Sequence, residues 1–368
     1  MIEIYKPLSH SLNIQSYFPL CKNENSILFD IETTGFSRSQ SQLYLIGCIY
    51  FKNNIWILHQ FFSEHPEDEI ELLMNFFRIC DSFKYIIHFN GNTFDIPYLE
   101  EKASLLNIPC PLKKLESIDI LKDIRPFQNI LGLENCRLKT IESFLKINRN
   151  DPYTGGELIE QYYDYCKNKN ESLKNNLLLH NEEDLYGLIK ILKIYDYISF
   201  FRRLKDPHFI INTQYIGIEK NKLLFSLEAS LISPLTLTIK NGNWTCKIYE
   251  EKTILEFEIE LINTTLYHYF QNYKEYYYIS ELDEAIHKSV ASFLPKEKRK
   301  PAAASNCYIK RKGLFLQIMN EKIHLPTFKE NINSKEKYIH IEPDKVLEIK
   351  DEFIELAIGF FQSILPKY

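Results

Sequence analysis

Three small groups of acidic residues carry the clearest chemistry in this 368-residue chain. Asp30 and Glu32 close an apolar run, Ile27-Leu28-Phe29-Asp30-Ile31-Glu32, that is followed by Thr33-Thr34-Gly35. Side chains alternate across a strand, so the two carboxylates share one side while Phe29 and Ile31 face the other. Like charges that close are unfavourable unless a cation neutralises them or one of them takes up a proton. Oxygen-only ligands of this kind suit Mg²⁺ or Mn²⁺. Taken alone, the pair also fits an exposed strand end before a turn.

The second group lies in His88-Phe89-Asn90-Gly91-Asn92-Thr93-Phe94-Asp95-Ile96-Pro97-Tyr98. Asn90 ends a strand, Asp95 opens a helix, and Pro97 stands in the first turn, where a missing N–H costs little. Asp95 fits a helix cap as well as a ligand. The third group is His180-Asn181-Glu182-Glu183-Asp184. Four-residue spacing sets His180 and Asp184 on one helix face, and Leu177, Leu188, Ile191 and Tyr195 turn that face toward the protein. A buried Asp needs a cation, a hydrogen bond or water, and an i,i+4 pairing with His180 is the plain structural alternative.

The elements that position these groups can be read in order. Leu43 to Phe51 and Ile55 to Phe62 are apolar runs separated by Lys52-Asn53-Asn54, so with the Asp30 strand they predict three antiparallel strands. Ile70, Leu73, Met74 and Phe77 recur at helical spacing between Glu67 and Cys80. A strand over Lys84 to Asn90, a helix over Phe94 to Leu106 and a strand over Ser117 to Leu121 follow, then mostly helix to Tyr197. This order predicts an α/β fold, a mixed sheet flanked by helices, with ligands gathering at the strands' carboxyl ends. Asp119 is read as a solvated strand end, and Gly155-Gly156 as a turn rather than a phosphate loop.

In combination, Asp30-x-Glu32, Asn90-x-x-x-Phe94-Asp95-x-Pro97-Tyr98 and His180-Asn181-x-x-Asp184 resemble the DEDD superfamily of ribonuclease-H-like 3′–5′ exonucleases. The middle segment is similar to the second exonuclease motif of family B DNA polymerases. Leu138-Lys139-Thr140-Ile141-Glu142, Asp151-Pro152 and Gly155-Gly156-Glu157 leading into Tyr162-Tyr163 resemble the YprB-type domain of that superfamily more closely. The resemblance covers about Ser26 to Tyr197. It implies hydrolysis of DNA or RNA, at a single-stranded end, with two divalent cations, Mg²⁺ or Mn²⁺, about 3.5–4 Å apart. Carried over motif by motif, Asp30 would touch both ions, Glu32 and Asp184 would complete the site of the nucleophilic water, and Asp95 would serve the second ion. His180 would accept the water's proton, although it stands four residues before the last Asp, where many members have Tyr. Asn90 and Phe94 are then candidate nucleic-acid contacts. Asn181 is read as a structural cap in preference to a group holding His180 or a phosphate, and Asp119 is similar in place to an Asp of related domains that would support the site from behind.

Near residues 202–208 the pattern changes, which divides the chain into an expected ribonuclease-H-like domain over 1–205 and an α+β domain over 206–368. Leu235-x-Leu237-x-Ile239, Trp244-x-Cys246-x-Ile248 and Leu255-x-Phe257-x-Ile259 alternate as half-buried strands, with Asn241-Gly242 as a hairpin turn. A helix is predicted over Glu281 to Phe293, a hairpin about Lys312-Gly313 within Asn306 to Met319, and a terminal helix over Val346 to Leu365. Tyr276, Tyr277 and Tyr278 read as strand and core. Lys298, Arg299 and Lys300, in a basic run beside Phe293, are candidate nucleic-acid contacts.

Composition limits the alternatives. A net charge of -5 argues against coating nucleic acid by bulk charge, so any polyanion must be held locally. Eight cysteines with no C-x-x-C pair argue against a zinc ribbon and fit reduced thiols of a cytoplasmic protein. Met1 to Leu20 lacks a signal-peptide pattern, and no run of 18 apolar residues predicts a membrane span. The rival expectations are a catalytically idle nucleic-acid-binding scaffold and a protein-interaction scaffold on the same fold.

Overall fold

The structure, a computed structural model, describes residues 1–8, 12–149, 152–319 and 323–366, with the side chains of Pro207 and Ile211 left aside. Asp151, part of the resemblance above, lies outside the described residues. The chain forms two compact units, Met1–Ile198 and Ser199–Tyr368. None of the described helices is long and apolar enough to cross a membrane.

The first unit is built on a six-stranded sheet with the order β1-β4-β3-β2-β5-β6. Its strands are β1 (Ile2–Pro7), β2 (Ser26–Thr33), β3 (Leu43–Lys52), β4 (Ile55–Phe62), β5 (Tyr85–His88) and β6 (Glu116–Asp119). β1 to β4 pair antiparallel, and β5 and β6 continue parallel to β2. The three consecutive strands read from the sequence are present. β1 was not foreseen, because only one face of it is shielded and its side chains are mostly exposed.

Helices cover both faces of this sheet. α1 (Glu69–Cys80) and α2 (Asp95–Leu105) bury Leu72, Phe76, Tyr98 and Leu99 against Phe29, Ile31, Ile46 and Phe61. On the other face, α5 (Gly155–Asn168) and α6 (Glu171–Ile191) pack Leu158, Tyr162, Tyr165 and Leu177 on Tyr44, Leu45 and Phe62. Between these layers in sequence stand α3 (Ile120–Ile124) and α4 (Leu138–Phe144), and α7 (Ile194–Arg203) follows. Gly155-Gly156 is no turn: it opens α5, where Thr154 and Glu157 form a capping box.

The second unit has its own sheets. β7 (Ile210–Glu219), β8 (Lys222–Ala229), β9 (Leu237–Asn241), β10 (Trp244–Ile248) and β11 (Ile254–Glu260) form one of the order β7-β8-β11-β10-β9. The Asn241-Gly242 turn joins β9 to β10 with Gly242 at φ +56°. A second sheet, order β12-β16-β18-β17, uses Ile262–Tyr269, Tyr308–Ile318, Lys337–Ile341 and Thr327–Phe328 for β12, β16, β18 and β17. A third has the order β14-β13-β15, with β13 (Tyr276–Ile279), β14 (Glu284–His287) and β15 (Lys300–Pro301).

Three expectations fail here. Residues 281–293 hold β14 and a short helix, α8 (Lys288–Ala291), in place of one long helix. Pairing with β13 wins over helical spacing, and Leu282, Val290 and Phe293 are left exposed. β16 runs straight through Lys312-Gly313 instead of turning there. Gly313 serves close packing, since a Cβ there would lie 2.5 Å from Nε2 of His340. The terminal helix, α9 (Glu352–Ile364), starts later than Val346, after a 3₁₀ turn over Pro343–Ile349.

Candidate active site

Strand β2 sorts its side chains as alternation requires: Phe29 and Ile31 enter the core beside α1, and Asp30 and Glu32 face α6. Across the sheet Asp30 pairs with Gly47, and Gly47 with Gln60. Asn181 of α6 spans this row. Its Nδ2 donates to Asp30 Oδ2 at 3.0 Å, and its Oδ1 accepts from Gln60 Nε2 at 3.0 Å. A Cβ on residue 47 would lie 2.0 Å from Asn181 Oδ1, so only glycine lets the helix approach this closely. Asn181 is therefore the buried amide that holds Asp30, not a cap.

The same helix presents His180 and Asp184 beside it. His180 Nε2 lies 3.5 Å from Asp184 Oδ2 and 3.7 Å from Glu32 Oε1. One ligand atom from each of Glu32, His180 and Asp184 lies within 4.8 Å of the others, a constellation that could hold a metal ion. Asp95 joins from the opposite side as the first residue of α2. Burial pushes its carboxyl up to about 7, and the charges of Asp119 and Asp184 add to this, while its own N–H and that of Ile31 pull it down. Asp30 is held well above the ordinary carboxylate range, by burial first and then by Asp184, Glu32 and Asp95; the Asn181 amide opposes the shift. Asp30 thus feels the other three carboxylates, and Asp95 feels Asp184.

The segment leading into Asp95 is fixed by a network that the sequence did not reveal. Asp119 is buried, which corrects its reading as a solvated strand end. It accepts from the backbone N–H of Asn90 at 2.9 Å, of Asn92 at 3.4 Å and of Leu121 at 3.1 Å. His88 Nδ1 accepts from Gly91 N at 3.0 Å, which puts the ring proton on Nε2, facing Ser117 Oγ at 2.8 Å. Ser117 Oγ in turn donates to Asn92 Oδ1 at 2.6 Å. Asn90 takes the left-handed conformation, φ +64°, and its side-chain oxygen accepts from Thr93 Oγ1 at 2.8 Å.

An arginine also reaches the cluster. Arg149 Nη2 donates to Asp184 Oδ1 at 2.5 Å, and Nη1 sits 3.3 and 3.2 Å from the two oxygens of Glu142. Glu142, on α4, is buried against α6 at Gly187, where a Cβ would come within 2.1 Å of its Oε1. The guanidinium thus compensates Asp184 from the α4 side. At Asp30 and Asp95 the charges that weigh most remain carboxylates. Nothing in the sequence singled out Arg149, a lone basic residue in a polar loop. Gly47 did carry a signal, because an isolated glycine inside an apolar strand marks a close approach.

Phe94 packs its ring on Tyr98 and on Phe36, 5.9 Å away and edge-on. Phe36 follows the Glu32 strand end and is 91 % exposed, so an open aromatic ring flanks the acidic cluster. Lys298, Arg299 and Lys300 belong to the second unit, whereas the carboxylates belong to the first.

The donor set fits a hard divalent cation. It is built of oxygens with one imidazole at its edge, and two of its carboxyls, Asp30 and Asp95, are pushed up by burial first and by neighbouring carboxylates second, a condition that a bound cation relieves.

The family model of the RNase_H superfamily (RNase_H_2) matches residues 27–195. No curated protein matches the sequence. Among solved structures, the chain is similar to the family B DNA polymerase of Pyrobaculum calidifontis, at 15% identity and TM-score 0.37 over 49% of this chain and 25% of that one. It is also similar to the zinc-bound complex of E. coli exonuclease I with single-stranded DNA, at 12% identity and TM-score 0.32 over 58% and 56%. A further exonuclease I structure gives 13% identity and TM-score 0.33 over 60% and 54%. The chain thus spans a quarter of that polymerase and less than two thirds of exonuclease I. Strand order, flanking helices and the family match together make the first unit ribonuclease-H-like.

Proposed function

We propose that the first unit is a metal-dependent nuclease of the DEDD type, cleaving DNA or RNA from a single-stranded 3′ end. What supports this reading is the gathering of Glu32 and Asp184 about His180, with Asp30 tied to the same helix through Asn181 and Asp95 near enough for its charge to act on Asp30. These four carboxylates would hold two ions, Mg²⁺ or Mn²⁺. Such ions, when bound, lower the pKa of a water and offset charge on the phosphate and the departing oxygen.

The chain's own groups supply the rest. Asn181 holds Asp30 in one orientation across Gly47, and Asp119 with His88 fixes the turn that delivers Asp95. His180 Nε2, facing Glu32 and Asp184, is placed to accept a proton from a water in the cluster. Phe36 and Phe94 offer ring surface beside the carboxylates for the last base of a strand. Purified protein with Mn²⁺ should shorten 5′-labelled single strands stepwise, and Asp30→Ala and Asp184→Ala should not. Equal degradation by both variants would exclude this site.

One observation favours a second reading, a nucleic-acid-binding scaffold without turnover: the Arg149 guanidinium already occupies an oxygen of Asp184 that an ion would use. Titration of Mn²⁺ into the parent and into Arg149→Ala separates the two. Tight binding by the parent supports the nuclease, and binding gained only on removing Arg149 supports the scaffold.

A further inference from the structure

The second unit carries a cationic surface with features beyond a run of charge. On the small sheet, Tyr276 and Tyr278 turn inward and pack with Phe270, Tyr273, Ala285, Ala302 and Cys307. Tyr277 turns the other way, between Ile286 and Pro301 on the neighbouring strands. Two cations are drawn to its ring: the Arg299 guanidinium at 5.2 Å and the Lys288 ammonium at 5.6 Å from the centroid. Arg299 Nη1 also donates to the carbonyl of Ala291 at 2.8 Å, so its head is held in place before any ligand arrives. Lys296 and Lys300 lie beside them in the chain and are exposed. Among the described residues, Lys288, Lys296, Arg299 and Lys300 have no ion-pair partner, whereas Lys298 is matched by Glu281 at 3.1 Å. Beside these charges, Val290 is 61 % and Phe293 89 % exposed.

We propose that this face, Tyr277 with Lys288, Arg299 and the open ring of Phe293, is a docking surface for single-stranded nucleic acid. The proposal rests on the nucleic-acid reading of the first unit. Heads fixed on an aromatic ring lose little freedom on meeting phosphates, and a guanidinium offers two donors to one of them. A bare phenyl ring among cations suits unpaired bases, whose faces are free to stack, and not a duplex, which hides them. The chain's overall negative charge makes such a local patch the place where a polyanion can settle.

The test uses the full chain in EDTA, where hydrolysis stops and the metal-free carboxylates repel the strand. Affinity for a fluorescein-labelled 20-nucleotide single strand is measured by anisotropy at several salt concentrations. Parent protein should bind with a marked salt dependence. The double variant Lys288→Ala/Arg299→Ala should bind at least about tenfold more weakly, with a log–log salt slope reduced by about 0.7 for each phosphate that is no longer neutralised. Phe293→Ala should weaken binding without changing the slope, and Arg299→Lys should keep the slope, which separates an effect of charge from an effect on folding. Unaltered affinity and slope in the double variant overturn the proposal. So does binding to phosphatidylserine vesicles with none to the strand, which would assign the face to an anionic membrane. A separate arm, Mn²⁺-dependent hydrolysis of the p-nitrophenyl ester of thymidine 5′-phosphate by the parent and by Asp30→Asn, reports on the carboxylates alone. Failure there would sink the nuclease reading and leave the strand-binding result standing.

Discussion

The two regions of this molecule that gather like charge do so in opposite ways. In the first unit, carboxylates are drawn together behind helices, where burial and the neighbouring charges raise the proton affinity of Asp30 and Asp95. In the second, cations stand in solvent around Tyr277, where water screens them. Burying like charges costs free energy and persists only if something else gains from it. The acidic cluster therefore points to a tightly held cation, and the basic face to a loosely held polyanion.

Expected effects scale with that difference. Asp30→Ala or Asp184→Ala should lower turnover by at least about 10³-fold, the scale of removing one group that offsets charge in a transition state. Strand affinity in EDTA should not fall in either variant. Retained turnover would mean that the buried cluster is structural, and the contrast between the two regions would lose its meaning.

Acid sensitivity should also trace to buried groups. Burial lowers His88 to about 4, against a partial pull upward from Asp119, and lowers His59 to about 4 against Glu3. The unfolded chain protonates each near 6.5 and the folded chain only near 4, so the contribution is complete above 6.5 and is lost as pH falls through that window. Each ring accounts for up to about 3 kcal/mol. Asp95, raised to about 7, works in the opposite sense, gaining stability as pH falls. The clean measurement is therefore a difference: urea unfolding of the parent against His88→Asn at pH 7.5, 6 and 4.5. The parent should lose more stability than the variant across this range, and parallel curves would refute the assignment.

A smaller effect is expected at the amide that spans the sheet. Asn181→Ala removes the donor that opposes the upward shift of Asp30, and should reduce turnover or Mn²⁺ affinity by about 10- to 100-fold. A raised half-saturating Mn²⁺ concentration would identify the loss as one of positioning. The smallest effect belongs to the exposed face. Lys298→Ala breaks a solvated ion pair with Glu281 and should move the thermal midpoint by no more than about 1 °C.

The same contrast explains what the sequence could convey. Asp30 with Glu32, and His180 with Asp184, were legible as pairs because strand and helix periods fix which side chains share a face, and β2 and α6 keep those periods. Asp95 was legible only through its motif at the start of α2. Arg149, Gln60 and the Asp119 network were not, because their partners lie on other elements and no period links them. Asn181 was misjudged for that reason: its two partners, Asp30 and Gln60, are 151 and 121 residues away. In the second unit, local spacing predicted a helix where pairing with β13 makes a strand, and a turn at Gly313 where His340 demands space. Tyr277 was grouped with its neighbours as core, since only the sheet shows that it faces the other way.

The most direct measurement is anomalous diffraction from crystals grown with Mn²⁺. The account predicts manganese peaks bounded by Asp30, Glu32, Asp95 and Asp184, with the Arg149 guanidinium shifted from Asp184 Oδ1 or sharing that carboxylate. Crystals that show no manganese at this position, with Arg149 still seated on Asp184, would contradict it.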